Sequence, residues 1–273
     1  MNYFFSFLLV LLTIGLETNA MDRLALDENK FQEESTPSQL KLQNTSGINL
    51  PLTIMPCMVE ADVPVVFFIS GDGGWTIFDV GVSKMLTANG MSVIGLDSRK
   101  YFWNEKQPQQ VADEISSAVE YYMKLWNKNS FVLLGYSFGA CIAPFIADDF
   151  SPTLKDSLKG VYCFSPVETG DFEIHISDLL KFKTNEKYNV LSEMNKISLL
   201  NPICVLGEKE DSVLRKHFSD AGITVLTLPG DHHYNYNFQA VATIICKSYL
   251  KEPMKTNSKG QIPKSKSKKP KLQ

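Results

Sequence analysis

Histidine is scarce in this chain, and its cysteines follow no pattern. Only four His occur in 273 residues, so chemistry that needs an imidazole base has few candidates. The five Cys, at 57, 141, 163, 204 and 246, lie in apolar or strand-like contexts without metal-ligand spacing. That excludes a zinc module or a disulfide scaffold and leaves buried, inert thiols as the expectation. Neither GxxxxGK[ST] nor GxGxxG occurs, so no nucleotide cofactor is expected, and no metal either. Beyond the N-terminus no apolar run is long enough to cross a bilayer, which excludes a polytopic membrane protein. Composition is otherwise ordinary, with 44% hydrophobic and 21% charged residues. It excludes disordered and collagenous chains, and the length fits one large domain or two small ones.

Charge is unevenly placed. The formal net charge is −3, yet residues 251–273 hold eight Lys and one Glu. An acidic body thus carries a basic tail, expected to be disordered because it has no apolar periodicity. Its lysines suit an anionic lipid surface at ~1 kcal/mol each. At the other end, residues 3–16 are almost wholly apolar and precede Glu17-Thr18-Asn19-Ala20. This reads as a signal peptide over 1–20 that is too short to be a comfortable span. The body is expected to be exported, with the basic tail suited to attachment at a membrane surface, and nucleic acid is not an expected partner. Residues 21–46 read as a flexible polar segment containing a formal glycosylation sequon at Asn44.

Between these ends the pattern alternates. Apolar runs at 64–69, 91–96, 131–134, 161–164, 203–206 and 223–228 read as strands buried on both faces, and 49–56 as an early strand. Residues 107–127 read as a helix, with Val111, Ile115, Val119, Tyr122 and Trp126 on one face after Pro108. Residues 138–149, 212–221 and 235–250 also read as helices. Alternation of this kind predicts an α/β domain over 47–250, a mostly parallel sheet with helices on both faces. The longest gap between strands, 166–201, is a candidate cap insertion.

The sharpest chemical signal is Gly135-Tyr136-Ser137-Phe138-Gly139. It is a GxSxG sequence placed between a strand and a helix, the context of a nucleophile elbow. Ser137 is the expected nucleophile. A base should lie after the last strand, where Pro229-Gly230-Asp231-His232-His233 stands. His232 is preferred and His233 is the alternative. The acid should follow strand 203–206, in Gly207-Glu208-Lys209-Glu210-Asp211. Asp211 is preferred and Glu210 is the alternative. Oxyanion stabilisation would use the backbone N–H groups of Phe138 and Asp72. Trp75, closing the Gly-rich loop 70–75, is a candidate substrate contact.

SGDGGW (70–75), DSRKYFW (97–103), LLGYSFGA (133–140), DFEIH (171–175) and PGDHHY (229–234) together resemble the bacterial VirJ/AcvB virulence-protein family. The resemblance spans roughly 60–250. It implies an exported, periplasmic protein of α/β-hydrolase fold, with Ser137 as nucleophile, His232 as base and an acid within 208–211. AcvB-like members imply hydrolysis of lysyl-phosphatidylglycerol, and VirJ-like members imply a role in type IV secretion and virulence. The short chain resembles the VirJ form more. An aminoacylated phospholipid also suits the residues. A lysyl group brings two cations, and Asp171 and Glu173 of the candidate cap are the expected carboxylates to receive them. The alternatives are a secretion accessory that binds proteins through the same fold, and a generic carboxylesterase or thioesterase.

Overall fold

A computed structural model of the chain describes residues 48–57, 62–174 and 187–249. The signal peptide, the flexible segment with Asn44, the basic tail and the middle of the candidate cap, with His175 and Asp178, lie outside the described residues.

Seven strands form one sheet. They are β1 (Leu52–Met55), β2 (Val65–Ile69), β3 (Val93–Leu96), β4 (Phe131–Tyr136), β5 (Leu158–Phe164), β8 (Ile203–Gly207) and β9 (Thr224–Leu228), in the order β1-β3-β2-β4-β5-β8-β9. Only β1 is antiparallel, with Leu52 opposite Leu96 of β3. The rest run parallel, with Val65 of β2 opposite Phe131 of β4 and Cys163 of β5 opposite Cys204 of β8. A second, two-stranded ladder joins β6 (Thr169–Gly170) and β7 (Tyr188–Asn189).

The apolar runs work as two-faced strands, except 223–228, whose strand β9 lies at the sheet edge with Thr224, Leu226 and Thr227 exposed. Along β2, Val65, Phe67 and Ile69 enter one core, and Val66 and Phe68 enter the other. Side chains alternate across a strand, so a fully apolar run implies helices on both sides. The first core is covered by α3 (Pro108–Leu125) and α4 (Phe138–Asp149), which bury Val111, Ile115, Val119, Ile142 and Ile146. The second is covered by α1 (Ile77–Ala88) and α8 (Phe238–Cys246), through Phe78, Val82, Leu86, Val241 and Ile245. Short helices α2 (Ser98–Tyr101), α5 (Pro152–Ser157), α6 (Val190–Lys196) and the longer α7 (Ser212–Asp220) complete the α-helices of the described residues.

The helix α1 has no counterpart among the sequence expectations. Phe78, Val82 and Leu86 recur every four residues, but Gly81 and Ser83 are buried too. A helix buried around much of its circumference shows weak amphipathic contrast. Gly81 is buried because α8 crosses it. A Cβ there would sit 2.5 Å from the Phe238 ring.

Of the candidate cap, residues 166–174 and 187–201 are described. In its described parts, Phe172, Ile174, Val190, Met194 and Ile197 all belong to the first core. The segment is stitched down by hydrogen bonds from Lys106 N–H to Phe172 O (3.0 Å) and from Ile174 N–H to Phe102 O (2.8 Å). These parts therefore extend the main domain. Among the described residues, no helix is long and apolar enough to cross a membrane.

Strand order positions the site. From β2 the chain moves to β3 on one side, then returns to β4 on the other. Loops leaving β2 and β4 diverge and open a crevice at the carboxyl ends of the strands, where ligands of open α/β sheets bind.

Candidate active site

Ser137 stands at that crevice, between β4 and α4, with φ 53° and ψ −115°. This left-handed geometry is strained for a non-glycine residue. It is held by the Ser137 N–H donating to Phe164 O (2.8 Å) and by Ala140 and Cys141 N–H donating to Ser137 O. Both flanking glycines are sterically required. A Cβ on Gly135 would lie 2.3 Å from Gly139 O, and one on Gly139 would lie 2.2 Å from Ile69 O. GxSxG is therefore a packing requirement of a helix that starts tight against two strands.

His232 reaches Ser137 from the loop after β9, with Nε2 2.9 Å from Ser137 Oγ. Its Nδ1 lies 2.8 Å from Glu210 Oε1. An ionised carboxylate only accepts, so Nδ1–H donates to Glu210 and Nε2 accepts from Ser137. The chain Ser137–His232–Glu210 is the geometry in which an imidazole can take the hydroxyl proton. Burial pushes the Glu210 carboxyl up, but hydrogen bonds from His232, Gly207 N–H (2.5 Å) and Ser165 Oγ (2.8 Å) outweigh it. They hold the acid below its usual range.

The preferred acid, Asp211, is thereby corrected. It is the N-cap of α7, accepting from Val213 N–H at 2.8 Å, and is exposed. The reason is a turn closed by Glu210 N–H to Gly207 O (3.1 Å). The turn carries the Glu210 side chain back toward the strand ends, and the next residue starts the helix. A short polar side chain is favoured there as a cap. His233, the alternative base, is turned aside. Its ring stacks on Tyr236 at 5.3 Å and 25°.

The loop after β2 lies beside the nucleophile, since a Cβ on Gly71 would be 3.4 Å from Ser137 Cβ. Asp72 follows, its Oδ1 accepting from Gly73 N–H at 2.9 Å. Phe138 is the first residue of α4, where helical N–H groups have no intrahelical partner. Trp75 departs from expectation. It packs edge-on to Phe68 (5.3 Å) and occupies the space above Gly95, where a Cβ would be 2.0 Å from its ring. A ring set into the sheet surface anchors the loop, and Trp75 is a structural contact.

The acidic residues near the site, among them the expected Asp171 and Glu173, are partly committed. Asp97 caps α2, accepting from Lys100 N–H, and pairs with Lys100 Nζ at 2.7 Å. Asp171 accepts from Phe172 N–H at 2.8 Å, and Lys187 stands near it, bonded to Glu105 at 2.5 Å. Lys187 is held above its usual range, first by Glu105 and also by the Asp171 charge. Asp171 and Glu173 flank Phe172, whose ring meets Phe102 (6.2 Å), which meets Phe138 (5.1 Å). They border the site through this aromatic row. Glu168 is paired with His217 of α7.

Three contributors have no place in the sequence expectations. Tyr136 stacks on Phe78 at 4.1 Å and donates to His232 O at 3.3 Å. Ser165 and Tyr234 lie behind Glu210. Tyr136 and Tyr234 each adjoin a residue of the motifs, but nothing in chain order links Ser165 to either. Burial pushes the Cys163 and Cys204 thiols well up, which keeps them protonated and unreactive. Among the described residues, no group of three or more His, Cys, Asp or Glu is placed to hold a metal.

The profile of a family described as bacterial virulence protein (VirJ) matches residues 62–252. Among solved structures, the chain is similar to a proline iminopeptidase of Mycobacterium smegmatis. The two share 12% identity, over 72% of this chain and 94% of that one, with a TM-score of 0.52. A dienelactone hydrolase of Anabaena variabilis ATCC 29413 gives 14% identity, 72% and 88% coverage and a TM-score of 0.50. A thioesterase domain from the curacin biosynthetic pathway gives 12%, 71%, 93% and 0.50. At such identities the likeness shows the fold, which is the α/β-hydrolase fold. No curated protein matches the sequence.

Proposed function

This chain belongs to the bacterial virulence protein (VirJ) family, and on that premise we propose that it is an exported serine hydrolase that cleaves the aminoacyl ester of lysyl-phosphatidylglycerol. The observation that carries the reading is the continuous hydrogen-bonded chain Ser137–His232–Glu210 at the crevice of the sheet. A module that only binds has no need of a strained serine aligned with a base and an acid.

In this mechanism Ser137 Oγ attacks the lysyl carbonyl carbon while His232 Nε2 takes its proton. The new imidazolium is stabilised by Glu210, and the oxyanion is met by the N–H groups of Phe138 and Asp72. The carbonyl re-forms as the glycerol oxygen leaves and takes the proton from His232, which releases phosphatidylglycerol. Water, deprotonated by His232, then attacks the lysyl-enzyme. Lysine departs, and Ser137 Oγ recovers its proton. Asp171 and Glu173 would receive the amino groups of the lysyl moiety, in competition with Lys187. The substrate's place in the membrane agrees with an exported, periplasmic enzyme and with a tail of eight Lys.

The test is incubation of purified wild type and Ser137→Ala with lysyl-phosphatidylglycerol vesicles, quantifying released lysine and phosphatidylglycerol. Release by wild type alone supports both the mechanism and the substrate. Turnover of a simple activated ester without lysine release would retain the serine hydrolase as a generic carboxylesterase or thioesterase and remove this lipid. No turnover of either would favour the second reading, a type IV secretion accessory that binds proteins. The family description, which names virulence rather than a reaction, favours that reading.

A further inference from the structure

Glu210 holds His232 with one oxygen, so the aim of that bond depends on what holds the other. Oε2 accepts from Gly207 N–H and from Ser165 Oγ. Ser165 Oγ also lies 2.5 Å from the phenol oxygen of Tyr234, which has a second neighbour in Val205 O at 3.0 Å. Ser165 has one proton and an ionised carboxylate has none, so the direction follows. Ser165 donates to Glu210, and the single Tyr234 proton lies between two acceptors, Ser165 Oγ at 2.5 Å and Val205 O at 3.0 Å. Tyr234 is fully buried. Burial first, and then the Glu210 charge, push its phenol well up, so it stays protonated.

Backbone strain marks the same residues. Ser165 has φ 55°, and Tyr234, Asn235 and Tyr236 have φ 54°, 52° and 54° in succession. A left-handed conformation is unfavourable for any residue with a Cβ. Three in a row persist only where the surroundings over-determine them. The Tyr234 ring, set against Phe164 (5.9 Å) and Phe78 (6.1 Å), is the buried member of that turn. The turn begins two residues after His232, and Ser165 Oγ also lies 3.5 Å from His232 O. One phenol therefore bears on the acid through Ser165 and on the base through the backbone.

We infer that Ser165 and Tyr234 are positioning residues that extend the triad into a relay, Tyr234–Ser165–Glu210–His232–Ser137, with Tyr234 acting on the imidazole only through Ser165 and the turn it anchors. The inference rests on the hydrolase reading of the site.

The experiment compares the full-length wild type with Tyr234→Phe, Ser165→Ala and the double variant. Tyr234→Phe keeps the ring and removes only the oxygen, so the melting temperature should change little. Activity on an activated ester should fall about tenfold in kcat for each single variant, with KM within twofold. The double variant should lose no more than Ser165→Ala alone, because Tyr234 works through Ser165. The second readout needs no substrate: NMR of the His232 imidazole, its Nδ1 proton and its titration midpoint. Weaker donation to Oε2 leaves more charge on Oε1, so the midpoint should rise in Tyr234→Phe and Ser165→Ala. Tyr136 and His233, the other titratable rings beside His232, are intact throughout. An unchanged His232 midpoint in both single variants, or losses that simply multiply in the double, would overturn the relay. If wild type turns over no ester while the His232 signals shift as stated, the hydrolase reading falls and the relay stands.

Discussion

Replacing Glu210 by Gln removes one charge and leaves the side-chain shape, and the surroundings decide which way the amide must face. At the Oε2 position Gly207 N–H is 2.5 Å away and can only donate. The amide oxygen must therefore turn toward Gly207, which points the NH2 group at His232 Nδ1. Nδ1 then has to accept, so the imidazole proton moves to Nε2, the atom 2.9 Å from Ser137 Oγ. An Nε2–H cannot take the serine proton. The equivalent tautomer error in a serine protease lowers kcat by about 10⁴, which corresponds to ~5.4 kcal/mol of transition-state stabilisation. Asp211→Asn is the control. It keeps an N-cap residue of comparable preference on α7 and should leave kcat within about twofold. The assay is kcat on an activated ester at neutral pH, with circular dichroism to establish that both variants fold. A loss of 10² or more in Asp211→Asn, or less than tenfold in Glu210→Gln, would refute the assignment of the acid and the tautomer argument with it.

Asp79 offers a test by pH. It is fully buried, and burial raises its carboxyl to about 6 against Thr76 hydrogen bonds that lower it. The folded state thus binds this proton more tightly than the unfolded chain. The stability it contributes is greatest below pH 4, falls as pH rises from about 4 to 6, and is lost above that. The difference in unfolding free energy between wild type and Asp79→Asn should shift by about 2 kcal/mol in favour of the variant between pH 4 and 7. Denaturant titrations at the two pH values check it, and a pH-independent difference would contradict it. Gly139→Ala should destabilise by roughly 1–3 kcal/mol and abolish turnover, because its Cβ would press on Ile69 O and tilt the elbow. Thermal melts and the ester assay read both effects. Phe67→Ala, in the first core, should lower stability by about 3–5 kcal/mol with the active-site hydrogen bonds left in place. Chemical denaturation measures it.

Much of this molecule was legible in the chain, for a local reason. The runs at 64–69, 91–96, 131–134, 161–164, 203–206 and 223–228 overlap observed strands within the main sheet. Apolar residues at consecutive positions have no other economical burial than a strand covered on both faces. Residues 107–127 contain α3, and 138–149 coincide with α4. Ser137 and His232 were legible because an elbow and a loop after the last strand are defined by chain order. The tertiary structure alone decided the rest. Glu210 and Asp211 are adjacent carboxylates in one loop, and composition cannot choose between them. The choice was made by a turn onto Gly207, by Ser165 arriving from a different strand, and by a helix that needed a cap. Trp75 followed the same logic, since Gly95 of a neighbouring strand made the slot that took its ring. The relay through Ser165 and Tyr234 joins positions 69 residues apart by a 2.5 Å contact. Periodicity and motifs report what a residue needs from its chain neighbours. Which side chain turns inward depends on distant backbone that only the folded sheet brings within reach.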